Sequence, residues 1–318
     1  MANELERSKP IKINKDFENG ISEENLRYLE RYEMDMQIRE LSEKTIYNYR
    51  RDLLQWMSYL NKNQCNCNVK DVTDDDIEEF IFFCKKGGNN TERIKRRFSV
   101  ISAFYKYLRK KKVVKENPME FIDRPKRGRP VVVQTFLVKS QIDNIRKGLA
   151  EIDDLQLTTY FEFSLCTMAR VTAISNVTWD QVDFDNYVVN DVLEKEGKIV
   201  TLYLDDRIVK LLKELKDYRN NNNIQCDYVF VSKEKDGHHQ ITSCGMRYWT
   251  KKIGDIIGVS TLHPHDFRHS GANLRKNAGV SLEMVSSLLN HSGTDVTKKH
   301  YLKEDKSKMS EKFRKISI

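Results

Sequence analysis

The sequence predicts a mainly α-helical protein of two domains: an N-terminal four-helix domain, then a mostly helical domain carrying a small antiparallel β-sheet. Three observations predict it. Apolar residues recur at helical spacing between Glu23 and Leu108, with capping residues between the runs. A basic segment holding Pro118, Pro125 and Pro130 then ends that pattern. Beyond Trp179, short β-branched runs appear, separated by polar turns.

Residues 1–22 are polar and charged without a clear period, which predicts a flexible arm. In the first helix Leu26, Leu29, Tyr32 and Met36 share a face. Ser42 is the expected N-cap of the second, whose apolar residues are Ile46, Tyr49, Leu53, Trp56, Met57 and Leu60. Thr73-Asp74-Asp75-Asp76 reads as the capped, acidic first turn of the third, since carboxylates favour the positive end of a helix dipole. Gly87-Gly88-Asn89-Asn90 stops it, and the fourth runs from about Thr91 to Leu108. These elements fill a domain at 23–123, followed by a linker at 124–135.

The second domain is expected at 136–302, with a tail at 303–318 whose Met309, Phe313 and Ile316 share one face. Helices are expected from Lys139, over Leu155–Met168 and over Arg207–Tyr218. Strands are expected at 187–189, 199–204 and 228–231, with the polar turn Glu194-Lys195-Glu196-Gly197-Lys198 before the second of them. His238 and His239 fall in what reads as a polar loop, open to nucleic-acid contact or simple solvation.

With 318 residues, net charge +8 and pI near 9.0, the chain suits a polyanionic partner, nucleic acid ahead of anionic membrane. No run of about 18 apolar residues exists to span a bilayer, and the N-terminus lacks a secretion signal, so a soluble cytoplasmic protein without a membrane partner is expected. The six cysteines (Cys65, Cys67, Cys84, Cys166, Cys226, Cys244) read as reduced thiols, and no second Cys/His pair follows Cys65 and Cys67 at zinc-finger spacing, so no metal site is expected. Positive charge concentrates between Arg93 and Arg129, where fourteen Lys/Arg face three carboxylates, a net of +11. A solvated helix face ordinarily mixes both signs, so this reads as a phosphate-tracking surface, with Arg93, Arg96, Arg97, Lys110, Lys111, Arg124, Lys126, Arg127 and Arg129 as its candidates.

The chemistry concentrates between Thr261 and Leu302, which holds five of the seven histidines. His265 and Arg268 stand one helical turn apart and project to one side. Arg170 ends an apolar run, where a guanidinium is costly unless it meets an anion. Two arginines and a histidine can hold the non-bridging oxygens of a phosphodiester and move a proton.

Taken together, Arg170, a turn lysine, His265-x-x-Arg268, Leu288-Leu289-Asn290-His291-Ser292 and a tyrosine ten residues after His291 resemble the tyrosine recombinase (phage integrase) family over most of the chain. The resemblance implies a SAM-like helical domain clamping DNA and a metal-free, cofactor-free catalytic domain acting on double-stranded DNA as a homotetramer on two paired sites. It implies that Tyr301 attacks the phosphodiester, that Arg170 and Arg268 stabilise the pentacoordinate phosphorus, and that His265 moves the proton. It further implies that His291 holds a non-bridging oxygen, that Lys195 protonates the leaving oxygen with Lys198 as the second candidate, and that the tail docks on a neighbouring subunit. Three departures stand beside the matches: Met168 and Asn290 replace glycines, and Ala173 replaces an acid three residues after Arg170. Asn290 is a mild change, because asparagine follows glycine in tolerating a left-handed helix end. His269 is expected to be a buried hydrogen-bonding residue, and His263 and His300 to be incidental. The expected activity is integration and excision of a mobile element. Chromosome or plasmid dimer resolution, a type IB topoisomerase-like activity and an inactive DNA-binding protein are the alternatives.

Overall fold

A computed structural model describes residues 18–126, 136–194 and 197–290, and the chain divides into two compact units, Met1–Val133 and Gln134–Ile318. The first is helical: α1 (Glu23–Ile38), α2 (Glu43–Asn63), α3 (Asp74–Lys86) and α4 (Thr91–Lys110). Their boundaries are set by local chemistry. The Ser42 side chain accepts from the Thr45 amide at the start of α2, and Thr73 and Asp76 form a reciprocal capping box on α3. Trp56 packs edge-on against Phe104 and Tyr105 in the core. Buried Asn25 holds the Cys65–Cys67 loop through bonds to Cys67 O and from Val69 N.

The second unit contains α5 (Lys139–Ile152), α6 (Leu155–Thr167), α7 (Val171–Asn176), α8 (Asp206–Asn221), α9 (Ser243–Ile256), α10 (Pro264–Asn277) and α11 (Leu282–Leu288). Strands β1 (Val182–Asp183), β2 (Val188–Leu193) and β3 (Ile199–Tyr203) form one antiparallel sheet, and β4 (Val231–Glu234) pairs with β5 (Gly237–Gln240). The strand expected at 228–231 therefore starts at its last residue, and the expected polar loop with His238 and His239 is one arm of a hairpin. The cause is the two-residue turn Lys235-Asp236, followed by Gly237 at φ 141°, a conformation that suits glycine. Tyr228 makes only a bridge to Thr178.

Two features of this unit position the candidate residues. Helix α10 lies against α6 so closely that a Cβ on Gly271 would sit 2.4 Å from Leu165 O. In β2 the partners Val189↔Leu202 and Val192↔Val200 are three residues apart on one strand and two on the other, a bulge with Asp191 at φ 53°. The bulge reverses the inward-outward alternation, so Val189, Val192 and Glu194 are buried while Leu193 is exposed.

Candidate functional site

Arg268 is the centre of the candidate site. It is 1% exposed, and its two terminal nitrogens donate to Met168 O at 2.5 Å and Leu289 O at 2.6 Å. Those carbonyls lie two residues before Arg170 and two before His291. The guanidinium thus ties the loop carrying Arg170 and the end of α11 to α10, which carries His265. Two turns further along α10, Arg275 donates to the Leu165 and Cys166 carbonyls that α6 leaves unpaired at its C-terminus. The spacing 268, 271, 275 puts both arginines and the close-packed Gly271 on one helical face.

The departures at Met168 and Asn290 have local explanations. Met168 caps α6 at φ 53°, where a side chain costs about 1–2 kcal/mol. The same residue is 1% exposed and packs with Ala272, Val285 and Leu289. Burial of such a side chain is worth about 1.5–3 kcal/mol, so packing carries the position despite its backbone. Asn290 takes φ 52°, the left-handed conformation expected of it.

His265 is reachable by solvent yet closely walled, with ring centroids of His263 and His269 each 6.3 Å away. Desolvation, followed by the charges of Arg268, His263, Arg170 and Arg247, holds its imidazole below the ordinary 6.5. It is therefore neutral at pH 7 and able to accept a proton. The folded chain binds this proton less readily than the unfolded chain, so the contribution to stability is present above pH 6.5 and lost as pH falls through the lowered folded value. A histidine NMR titration of the DNA-free protein should give His265 a midpoint below 6.5, and a midpoint at or above it would contradict this environment.

Arg170 sits at the N-cap of α7, 30% exposed at its side chain, and its Nη1 donates to the buried carboxylate of Glu194. The role of Glu194 escapes the sequence reading, because its burial depends on the Asp191 bulge. Lys198 Nζ donates to Asn290 O at 2.9 Å. Lys195, His291 and Tyr301 lie outside the described residues, as do His300 and the 303–318 tail. His269 is 8% exposed, and Phe136 packs against its ring at 5.9 Å.

In the first unit one basic candidate is corrected. Arg97 is 1% exposed, bonded to Gln55 and stacked 5.7 Å from the Phe80 ring, so it is a core residue and no surface phosphate contact. Arg93 and Arg96 are partly committed to buried Asp52, at 3.8 and 3.0 Å. Lys110, Lys111, Arg124 and Lys126 are exposed, while Arg127 and Arg129 lie outside the described residues. Elsewhere an open cleft of about 850 Å³, lined by Asp180, Asp183, Asp185 and Asp191 with Lys213, is acidic and contains none of the candidate residues. Glu234, Asp236 and His239 are the one trio within metal-ligand reach among the described residues; all are exposed, and His239 already pairs with Asp236 at 3.0 Å. No described helix is long and apolar enough to cross a membrane.

Comparison with known proteins agrees with this architecture. The family model described as the phage integrase family matches residues 135–308, and that of the phage integrase N-terminal SAM-like domain matches residues 29–112. A tyrosine recombinase of Pseudothermotoga lettingae is 29% identical over 271 residues, covering 82% of this chain and 88% of that one. The tyrosine recombinase XerC of Lacticaseibacillus casei is 26% identical over 275 residues, covering 81% and 88%. In fold, the chain is similar to a lambda integrase solved as a tetramer bound to a Holliday junction, with a TM-score of 0.67 at 16% identity over 93% of this chain and 85% of that one.

Proposed function

We infer, from the fact that this chain belongs to the phage integrase family of tyrosine recombinases and is a DNA strand transferase, that it is a site-specific recombinase cutting and rejoining double-stranded DNA through Tyr301. The observation that supports the reading is buried Arg268, which ties the loop before Arg170 and the end of α11 to the helix carrying His265. In this reading the Tyr301 oxygen attacks phosphorus and gives up its proton to neutral His265. Arg170, Arg268 and His291 hold the charge that develops on the non-bridging oxygens. The bond to the 5′ oxygen breaks as Lys195 protonates it, leaving a 3′-phosphotyrosyl link and a 5′-hydroxyl. Engagement of Lys198 with Asn290 favours Lys195 for that step. Because the link keeps the energy of the broken bond, the reverse attack by a new 5′-hydroxyl needs no ATP.

Lys110, Lys111, Arg124 and Lys126, with Arg127 and Arg129 beyond them, track the phosphate backbone, and Arg93 and Arg96 contribute less because of Asp52. The active assembly is a homotetramer on two paired sites, a reading supported by the tetrameric lambda integrase of the same fold. The biological role we infer is integration and excision of a mobile element. Dimer resolution uses the same chemistry, and the XerC name of a 26% identical relative favours it.

Two labelled duplexes carrying the sequence that flanks the gene test the reading. Hybrid duplexes should form without ATP. Relaxation of a supercoiled plasmid without exchange would assign a topoisomerase-like activity instead. Direct repeats bounding the gene would support the mobile-element role over resolution.

A further inference from the structure

We propose that Glu194 is a positioning residue for Arg170, fixing its guanidinium for the scissile phosphate before DNA arrives; this rests on the recombinase reading above. Arg170 lies at the N-cap of a helix of only six residues, whose first turn offers no acid: position 173 is a fully buried alanine. The carboxylate that meets Arg170 comes instead from the end of β2. It faces inward because the Asp191 bulge shifts the strand by one residue, burying Glu194 where regular pairing would bury Leu193.

The pairing is lopsided. The Glu194 side chain is fully buried, whereas Arg170 keeps 30% of its side chain exposed. A buried carboxylate without its cation is strongly unfavourable, so the pair stays made and Arg170 stays in place. Nη1 of the guanidinium donates to one carboxylate oxygen, and Glu194 Oε1 is buried with no hydrogen-bond partner among the described residues. A pair selected for stability alone would use both oxygens in a fork. Here one oxygen anchors the arginine, and the guanidinium keeps part of its surface open to solvent.

The backbone at the same residue pairs across the β2–β3 hairpin. Glu194 N donates to Lys198 O at 2.7 Å, Asn176 Nδ2 to Leu193 O at 3.0 Å, and Lys198 Nζ to Asn290 O at 2.9 Å. Glu194 therefore joins the hairpin to the start of α7, and Lys198 ties the same hairpin to Asn290 after α11. Its negative charge also weakens the pull of Arg170 on a phosphate. Preorganisation outweighs that loss if the arginine would otherwise have to be ordered during the reaction, because misplacement by about 1 Å can cost about 100-fold in rate.

The test is single-turnover formation of the covalent adduct by the full-length chain on a nicked duplex carrying its own flanking site, with DNA affinity and melting temperature measured alongside. Glu194→Gln should slow the reaction about 10–100-fold while its Kd stays within about 3-fold and its melting temperature is nearly unchanged. Glu194→Asp, which keeps the charge and shortens the reach, should fall between it and wild type; should the glutamine variant fail to fold, the aspartate variant alone decides. In an Arg170→Ala background, Glu194→Gln should add nothing further, because a residue acting through Arg170 has no other route. Wild-type rates in Glu194→Gln, or effects of the two substitutions that multiply independently, would overturn the proposal and leave a structural ion pair. A wild-type chain that forms no adduct would overturn the recombinase reading itself, whatever Glu194 does.

Discussion

Arg268→Ala is expected to lower the stability of the second unit by about 3–5 kcal/mol and to abolish DNA cleavage. The substitution removes two charge-assisted bonds and strands the carbonyls of Met168 and Leu289 in a site that is 1% exposed. Each orphaned carbonyl costs about 1–3 kcal/mol, to which the cavity left by the side chain adds. For a unit of this size the loss corresponds to a melting temperature lower by roughly 10 °C. Arg268→Lys keeps the charge but cannot reach two carbonyls with one rigid fork, so it should recover part of the stability and little of the activity. Denaturant unfolding followed through Trp179 and Trp249, with single-turnover cleavage below the melting temperature, separates the two losses. Stability within about 1 kcal/mol of wild type would show that Arg268 does not hold these segments together.

The parts of the fold written in local chemistry were legible. Ser42, Thr73 and the Gly87–Asn90 stop mark helix ends through bonds between neighbours in sequence, and the left-handed Asn290 obeys the same rules. Arg97 shows the limit of reading charge by count. It shares the spacing 94, 97, 98, 101 with Ile94, Phe98 and Ile101, so periodicity alone placed it on the core face that its charge argued against.

The site was legible as a list of residues and illegible as an arrangement. Nothing local to Arg268 shows that its partners are carbonyls 100 and 21 residues away, because those contacts exist only once α10 lies against α6. Glu194 depends on a bulge at Asp191 that no propensity marks, although the missing acid at Ala173 and the acid beside the turn lysine are both plain in the sequence. The β4–β5 hairpin escapes a reading by pattern because its four-residue strands are too short for alternation to show, leaving Asp236-Gly237 as the only signal.

The joining of Tyr301 to DNA is measured most directly by covalent capture on a duplex nicked beside the cleavage site. Loss of the short leaving fragment prevents religation there and traps the intermediate. A complete site needs its nucleophile absolutely, since the arginines and histidines stabilise an attack that phenylalanine cannot make. The wild-type chain should accumulate an adduct at a 3′-phosphate with a free 5′-hydroxyl, and peptide mapping should place the DNA on Tyr301. Tyr301→Phe should bind the same duplex with unchanged affinity and form no adduct. An adduct that survives Tyr301→Phe, or that maps to another residue, would contradict the account, as would a wild-type chain that binds its site and never becomes linked to it.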